Sequence, residues 1–156
     1  MSYNKEMGEL RKRLQGKVLV MGIGNRLRGD DGVGPEIVSR LNNRSHNLLL
    51  FDVGEVPENY LEKIASEKSN TIVLIDAVEL GASPGTIEII ESEDIKDESF
   101  STHKVSLKLV AHYLRKRTSA DVFLLGIQPH NTELGGEISE LVKEALEKVV
   151  RMLEIS

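Results

Sequence analysis

A chain of 156 residues with 29% charged residues and a net charge of −5 suits one globular domain able to bury roughly two-thirds of its unfolded surface. It offers no basic footprint for nucleic acid, and aromatic residues at 4% argue against a base-stacking platform. Cysteine is absent, which removes disulfides, thiolate metal sites and cysteine nucleophiles together and fits a cytoplasmic address.

The first segment, MSYNKEMGELRKRLQG, is polar and helix-favouring and lacks the apolar core of a signal peptide. KVLVMG (17–22), NLLLFD (47–52), TIVLIDA (71–77) and DVFLLGI (121–127) are short, nearly continuous apolar runs, the pattern of buried parallel strands. TIEIIE (86–91) alternates instead, which predicts a strand with one polar face. Helical periodicity falls between these runs. It covers Pro35 to Asn42, residues 57–68, Val105 to Arg117 and Glu137 to Leu153, with apolar side chains on one face of each. No run reaches the roughly 20 apolar residues of a membrane span. Repeats and linkers are missing, so residues 1–156 are expected to form a single domain. The β-α-β-α-β order predicts an α/β fold, a three-layer sandwich. VELGASPG, between the third and fourth strands, is too short for a crossover helix, so the fourth strand is expected to run antiparallel to the rest.

In such sheets the ligand crevice lies beyond the carboxyl ends of the parallel strands. The first strand leads into GIGNRLRGDDGVGPEIV (22–38), the second ends at Asp52, the third at Asp76 and the last at Gln128-Pro129-His130. Gly22-x-Gly24 invites a dinucleotide-binding reading. However, Leu27 stands where the third glycine belongs, and Asp30 and Asp31 at a late helix start would repel phosphates. Taken singly, Asp30 and Asp31 suit helix capping and Asp76 a turn after a strand. Their joint placement beside SFSTHKVSLKL changes that weighting. His103 falls where Ser101 or Thr102 would cap the following helix, and a histidine at a helix N-terminus tends to stay neutral with a lone pair free. Asp31, Asp76 and His103 are therefore candidate ligands of one divalent metal with open coordination positions. His46, His112 and His130 have no comparable partners. Neither a G-x-S-x-G elbow nor an H-E-x-x-H helix is present.

The blocks GIGNRLRGDDGVGPEIV, FDVGEVPENYL, VLIDAVELGASPGTIEII, STHKVSLKLV and FLLGIQP, spanning Val18 to Pro129, resemble the nickel–iron hydrogenase maturation endopeptidases, most closely the hydrogenase 3-type subgroup. Asp52-Val53-Gly54 departs from the usual Asp-Gly-Gly of that family. The resemblance implies a mixed five-stranded sheet of order 2-1-3-5-4 with strand four antiparallel. It also implies a peptidase that makes one cut, after a His or Arg, to remove the C-terminal extension of a hydrogenase large-subunit precursor once nickel is inserted. Asp31, Asp76 and His103 carry over as the metal-contacting residues, and the nickel comes with the precursor, so no tightly bound cofactor is expected. Two routes stay open: nickel as Lewis acid or activator of water, or Asp31 or Asp76 as general base in an aspartic-type reaction. Asp30 is expected to cap a helix or hold a loop. Gly54, Gln128 and Pro129 are expected to line the groove for the precursor tail. The partner is the precursor, with no nucleic acid and no membrane insertion. A metal-sensing chaperone or docking factor on the same fold, without peptidase activity, is the alternative, and a small-molecule metallohydrolase holding its own zinc is a third.

Overall fold

The computed structural model describes residues 2–44, 47–96 and 106–155. Among them, five strands form one mixed sheet of order β2-β1-β3-β5-β4. The strands are β1 (Val18–Ile23), β2 (Leu48–Gly54), β3 (Thr71–Ala77), β4 (Ile87–Glu91) and β5 (Asp121–Ile127). β1 pairs in parallel with β2 and β3, and β3 with β5. β4 runs antiparallel to β5, with Ile87 opposite Ile127, as the short VELGASPG connection requires.

Helices cover both faces. Inward residues of even parity on β1, Val18 and Val20, join Val73, Ile75, Phe123 and Leu125 under α1 (Ser2–Arg13), α2 (Val33–Asn42) and α5 (Glu140–Glu154). The alternate residues, Leu19, Met21, Ile72, Leu74, Val122 and Leu124, lie under α3 (Leu61–Ser66) and α4 (Leu107–Arg117). Strand periodicity of two thus sends successive apolar residues to two separate cores. This explains why β1 and β3 read as unbroken apolar runs. No helix among the described residues is long and apolar enough to cross a membrane.

Three local expectations need correction. NLLLFD reads as a fully buried strand, yet β2 is only half-buried, because it forms one edge of the sheet and has a neighbour on one side only. Residues 57–68 do not make one helix. A 3-10 turn, Pro57–Tyr60, precedes α3. The last helix begins at Glu140 rather than Glu137, since the Ser139 N–H and hydroxyl both donate to Asp30 (2.7 and 2.9 Å). At the opposite edge α1 closes off β4, where Glu6 Oε1 accepts the Ile89 N–H at 2.9 Å, a covering of the kind that keeps edge strands from pairing elsewhere.

Candidate active site

The carboxyl ends of β1 and β3 are drawn together with α2 by missing side chains. A Cβ on Gly34 would stand 2.4 Å from the Ile75 carbonyl oxygen and 2.7 Å from that of Ile23. Only a glycine therefore lets the first turn of α2 press onto the ends of β1 and β3. Gly24, at φ +143°, lies so close to the following turn that a Cβ would fall 1.9 Å from the Asp31 carbonyl oxygen. This second glycine of the G-x-G pair accommodates the chain's own backbone. In a dinucleotide fold the same close approach is made by a pyrophosphate.

Between β1 and α2 the chain forms a 3-10 turn, Gly29–Gly32, whose two aspartates are both buried. Their roles diverge. The Asp30 carboxylate, 0% exposed, accepts the N–H groups of His130 (2.8 Å), Asn131 (3.0 Å) and Ser139 (2.7 Å) and the Ser139 hydroxyl (2.9 Å). It fastens the β5–α5 loop to the turn, the second of the two duties expected of it. Asp31, 7% exposed, accepts the Asn25 N–H on Oδ2 at 2.9 Å, which fixes its carboxylate at the mouth of β1. Asp76 is the penultimate residue of β3, fully buried, and follows the Ile75 carbonyl that Gly34 approaches. Asp31 lies less than one helical turn before Gly34. The two acids therefore belong to the same small region of the rim.

His103, Ser101, Thr102 and His46 lie outside the described residues. Among the described residues no three His, Asp or Glu side chains come together as a metal site, so Asp31 and Asp76 would need a third ligand from elsewhere. The helix that follows His103 begins at Leu107, and its cap is Ser106, whose Oγ accepts the Leu109 N–H at 3.1 Å. The cap expected from Ser101 or Thr102 is thus corrected. His112 is exposed on α4, and His130 is exposed at the rim.

The other expected residues sit at the rim in different ways. Gly54 has φ +56° and open space where a side chain would project, while its carbonyl accepts the Gly24 N–H at 2.9 Å. Pro129 is buried. Gln128 is 5% exposed and its amide serves the chain itself. Oε1 accepts Leu80 N–H (2.6 Å) and Ala82 N–H (3.4 Å), and Nε2 donates to Glu79 (3.2 Å) and to the Pro129 carbonyl (3.1 Å). It shapes the β3–β4 loop beside Asp76. Sequence reasoning did not find Arg26, which donates to Glu36 and the Pro35 carbonyl, both at 2.8 Å, and lies 3.6 Å from Asp52. An arginine two residues after a G-x-G turn with acids on both neighbouring segments was the available signal.

Two buried carboxylates at the end of a parallel sheet can hold a divalent ion or pass a proton to and from a water. A family model described as hydrogenase maturation protease matches residues 35–155. The hydrogenase 3 maturation protease of Escherichia coli K12 is 31% identical over 134 residues, covering 85% of this chain and 85% of that protein. The crystal structure of the NiFe hydrogenase maturation protease HycI from Thermococcus kodakarensis KOD1 superposes with a TM-score of 0.86 at 34% identity, covering 94% of this chain and 97% of that one. The solution structure of the endopeptidase HycI from Escherichia coli gives a TM-score of 0.80 at 30% identity, over 88% of this chain and 89% of that one.

Proposed function

Because the chain belongs to the hydrogenase maturation protease family, and is a peptidase of that kind, we propose that it removes the C-terminal extension of a nickel–iron hydrogenase large-subunit precursor after nickel insertion. On this reading residues 1–156 act as one cytoplasmic peptidase domain. The nickel is part of the substrate, and the protein supplies the residues that test for it. Asp31 and Asp76 approach the ion with His103, leaving the precursor's own ligands in place. Nickel favours imidazole and thiolate, so two carboxylates complete its shell without competing for it.

The observation that supports this reading is the burial of both Asp31 and Asp76 at the carboxyl rim, where Gly34 lets the first turn of α2 approach Ile23 and Ile75 closely. A buried acid with a fixed orientation is suited to taking the proton of an attacking water. The nickel would add polarisation of the scissile carbonyl or of that water. Gly54, with open space above it, and Pro129 with Gln128 on the far side of the rim, bracket the path of the extension.

Incubation of the purified protein with nickel-loaded and nickel-free precursor, followed by intact mass measurement, tests the proposal. Loss of the extension from the loaded form alone is the expected result. Tight binding without a cut would transfer the protein to a chaperone or docking role, and stoichiometric metal in the isolated protein would favour a small-molecule metalloenzyme.

A further inference from the structure

Six large hydrophobic residues are exposed among the described residues. Three of them, Leu27 (68%), Leu134 (69%) and Val56 (40%), lie on the loops that follow β1, β5 and β2 at the carboxyl rim. Single exposed apolar residues are ordinary, but these loops are joined to one another. The Gly135 N–H donates to the Leu27 carbonyl at 2.7 Å, and the Gly24 N–H donates to the carbonyl of Gly54, two residues before Val56, at 2.9 Å. A Cβ on Gly29 would lie 2.5 Å from the Asn131 carbonyl oxygen, so the β1–α2 and β5–α5 loops are in backbone contact. The buried Asp30 carboxylate, with its bonds to His130, Asn131 and Ser139, fastens the same pair of loops from beneath. The backbone that carries these apolar side chains is therefore held before any ligand arrives, which lowers the ordering cost of binding.

We propose that Leu27, Val56 and Leu134 form an apolar collar that receives an apolar stretch of the precursor beside the bond to be cut, and so contribute to choosing which precursor is processed. This rests on the peptidase reading above. Leu27 and Asp31 belong to one connection, between β1 and α2, which puts the collar on the same rim as the site assigned to the nickel. Three side chains cover on the order of a few hundred Å², which suits a short segment of chain led past the rim, whereas a second copy of this chain would need roughly 1,200 Å² that the collar does not supply.

The test compares wild type with Leu27→Ser, Leu134→Ser and the double variant in cleavage and equilibrium binding of nickel-loaded precursor. Leu109→Ser and Leu141→Ser serve as controls, because those leucines are also exposed, at 60% and 53%, but belong to α4 and α5. Burial of one leucine corresponds to about a tenfold change in affinity or more. The double variant is expected to raise KM and Kd at least about tenfold, with kcat within about twofold and the controls unchanged. Unchanged KM and Kd in the double variant would overturn the collar while leaving the peptidase reading intact. If wild type binds but never cuts, the peptidase reading fails, and Kd alone still decides the collar. Loss of a self-associated species on substitution, without weaker precursor binding, would assign the surface to a second copy and overturn the proposal.

Discussion

Asp30 and Asp31 are adjacent in sequence, both buried, and divided in labour by what donates to them. Asp30 receives four protein donors, so Asp30→Ala strands buried N–H groups. It is expected to cost about 3 kcal/mol or more and lower Tm by roughly 6–12 °C in a thermal melt. Asp31→Asn and Asp76→Asn keep the shape and an acceptor oxygen. Each is expected to reduce precursor cleavage by about 10²–10⁴-fold while shifting Tm little, checked by mass measurement and calorimetry on the same sample. The acids themselves were legible in the sequence, because they fall where apolar runs stop. The partners of Asp30 were not: Ser139 is 109 positions away, and nothing in either segment marks the other.

The elements that place the site depend on close backbone approach more than on side-chain chemistry. The first turn of α2 rests on the ends of β1 and β3 through Gly34, and a methyl group there meets carbonyl oxygens that cannot move aside. Gly34→Ala is expected to destabilise the fold by about 3 kcal/mol, the cost of overpacking against rigid backbone. It should also depress cleavage beyond the loss of folded protein, because α2 and the turn carrying Asp31 shift together. Chemical denaturation and activity per folded molecule measure the two effects separately. At this scale the sequence was informative about buried strands, whose apolar runs have no other explanation. It misjudged β2 because an edge strand and a central strand can share one composition. It missed the start of α5 because a tertiary bond from Asp30 to Ser139 sets it.

Across the molecule, Arg13 at the end of α1 joins the far ends of β4 and β5. It donates to both Asp121 oxygens (2.7 and 3.0 Å) and to Glu91, and lies 4.2 Å above the Phe123 ring. Its guanidinium is held well above the ordinary arginine range, chiefly by the bond to Asp121, opposed by burial and reinforced by Glu91. A base whose folded pKa is raised contributes fully below its unfolded pKa and loses that contribution only as pH rises through the folded value. The stability lost in Arg13→Ala, about 1–3 kcal/mol, is therefore expected to be the same at about pH 6 and pH 9 in urea titrations. The strand order and the antiparallel β4 were accessible beforehand through family resemblance and one short connection. The joining of α1 to the opposite edge was not, since Arg13 and Asp121 are 108 positions apart. The claim on which the functional account rests is that Asp31 and Asp76 reach an ion the precursor brings. Nickel X-ray absorption on loaded precursor with an uncleavable bond, alone and then saturated with this protein, measures that contact. New oxygen or nitrogen neighbours in the first shell of the nickel, lost with Asp31→Asn and Asp76→Asn, are expected. A spectrum unchanged on complex formation would contradict the account.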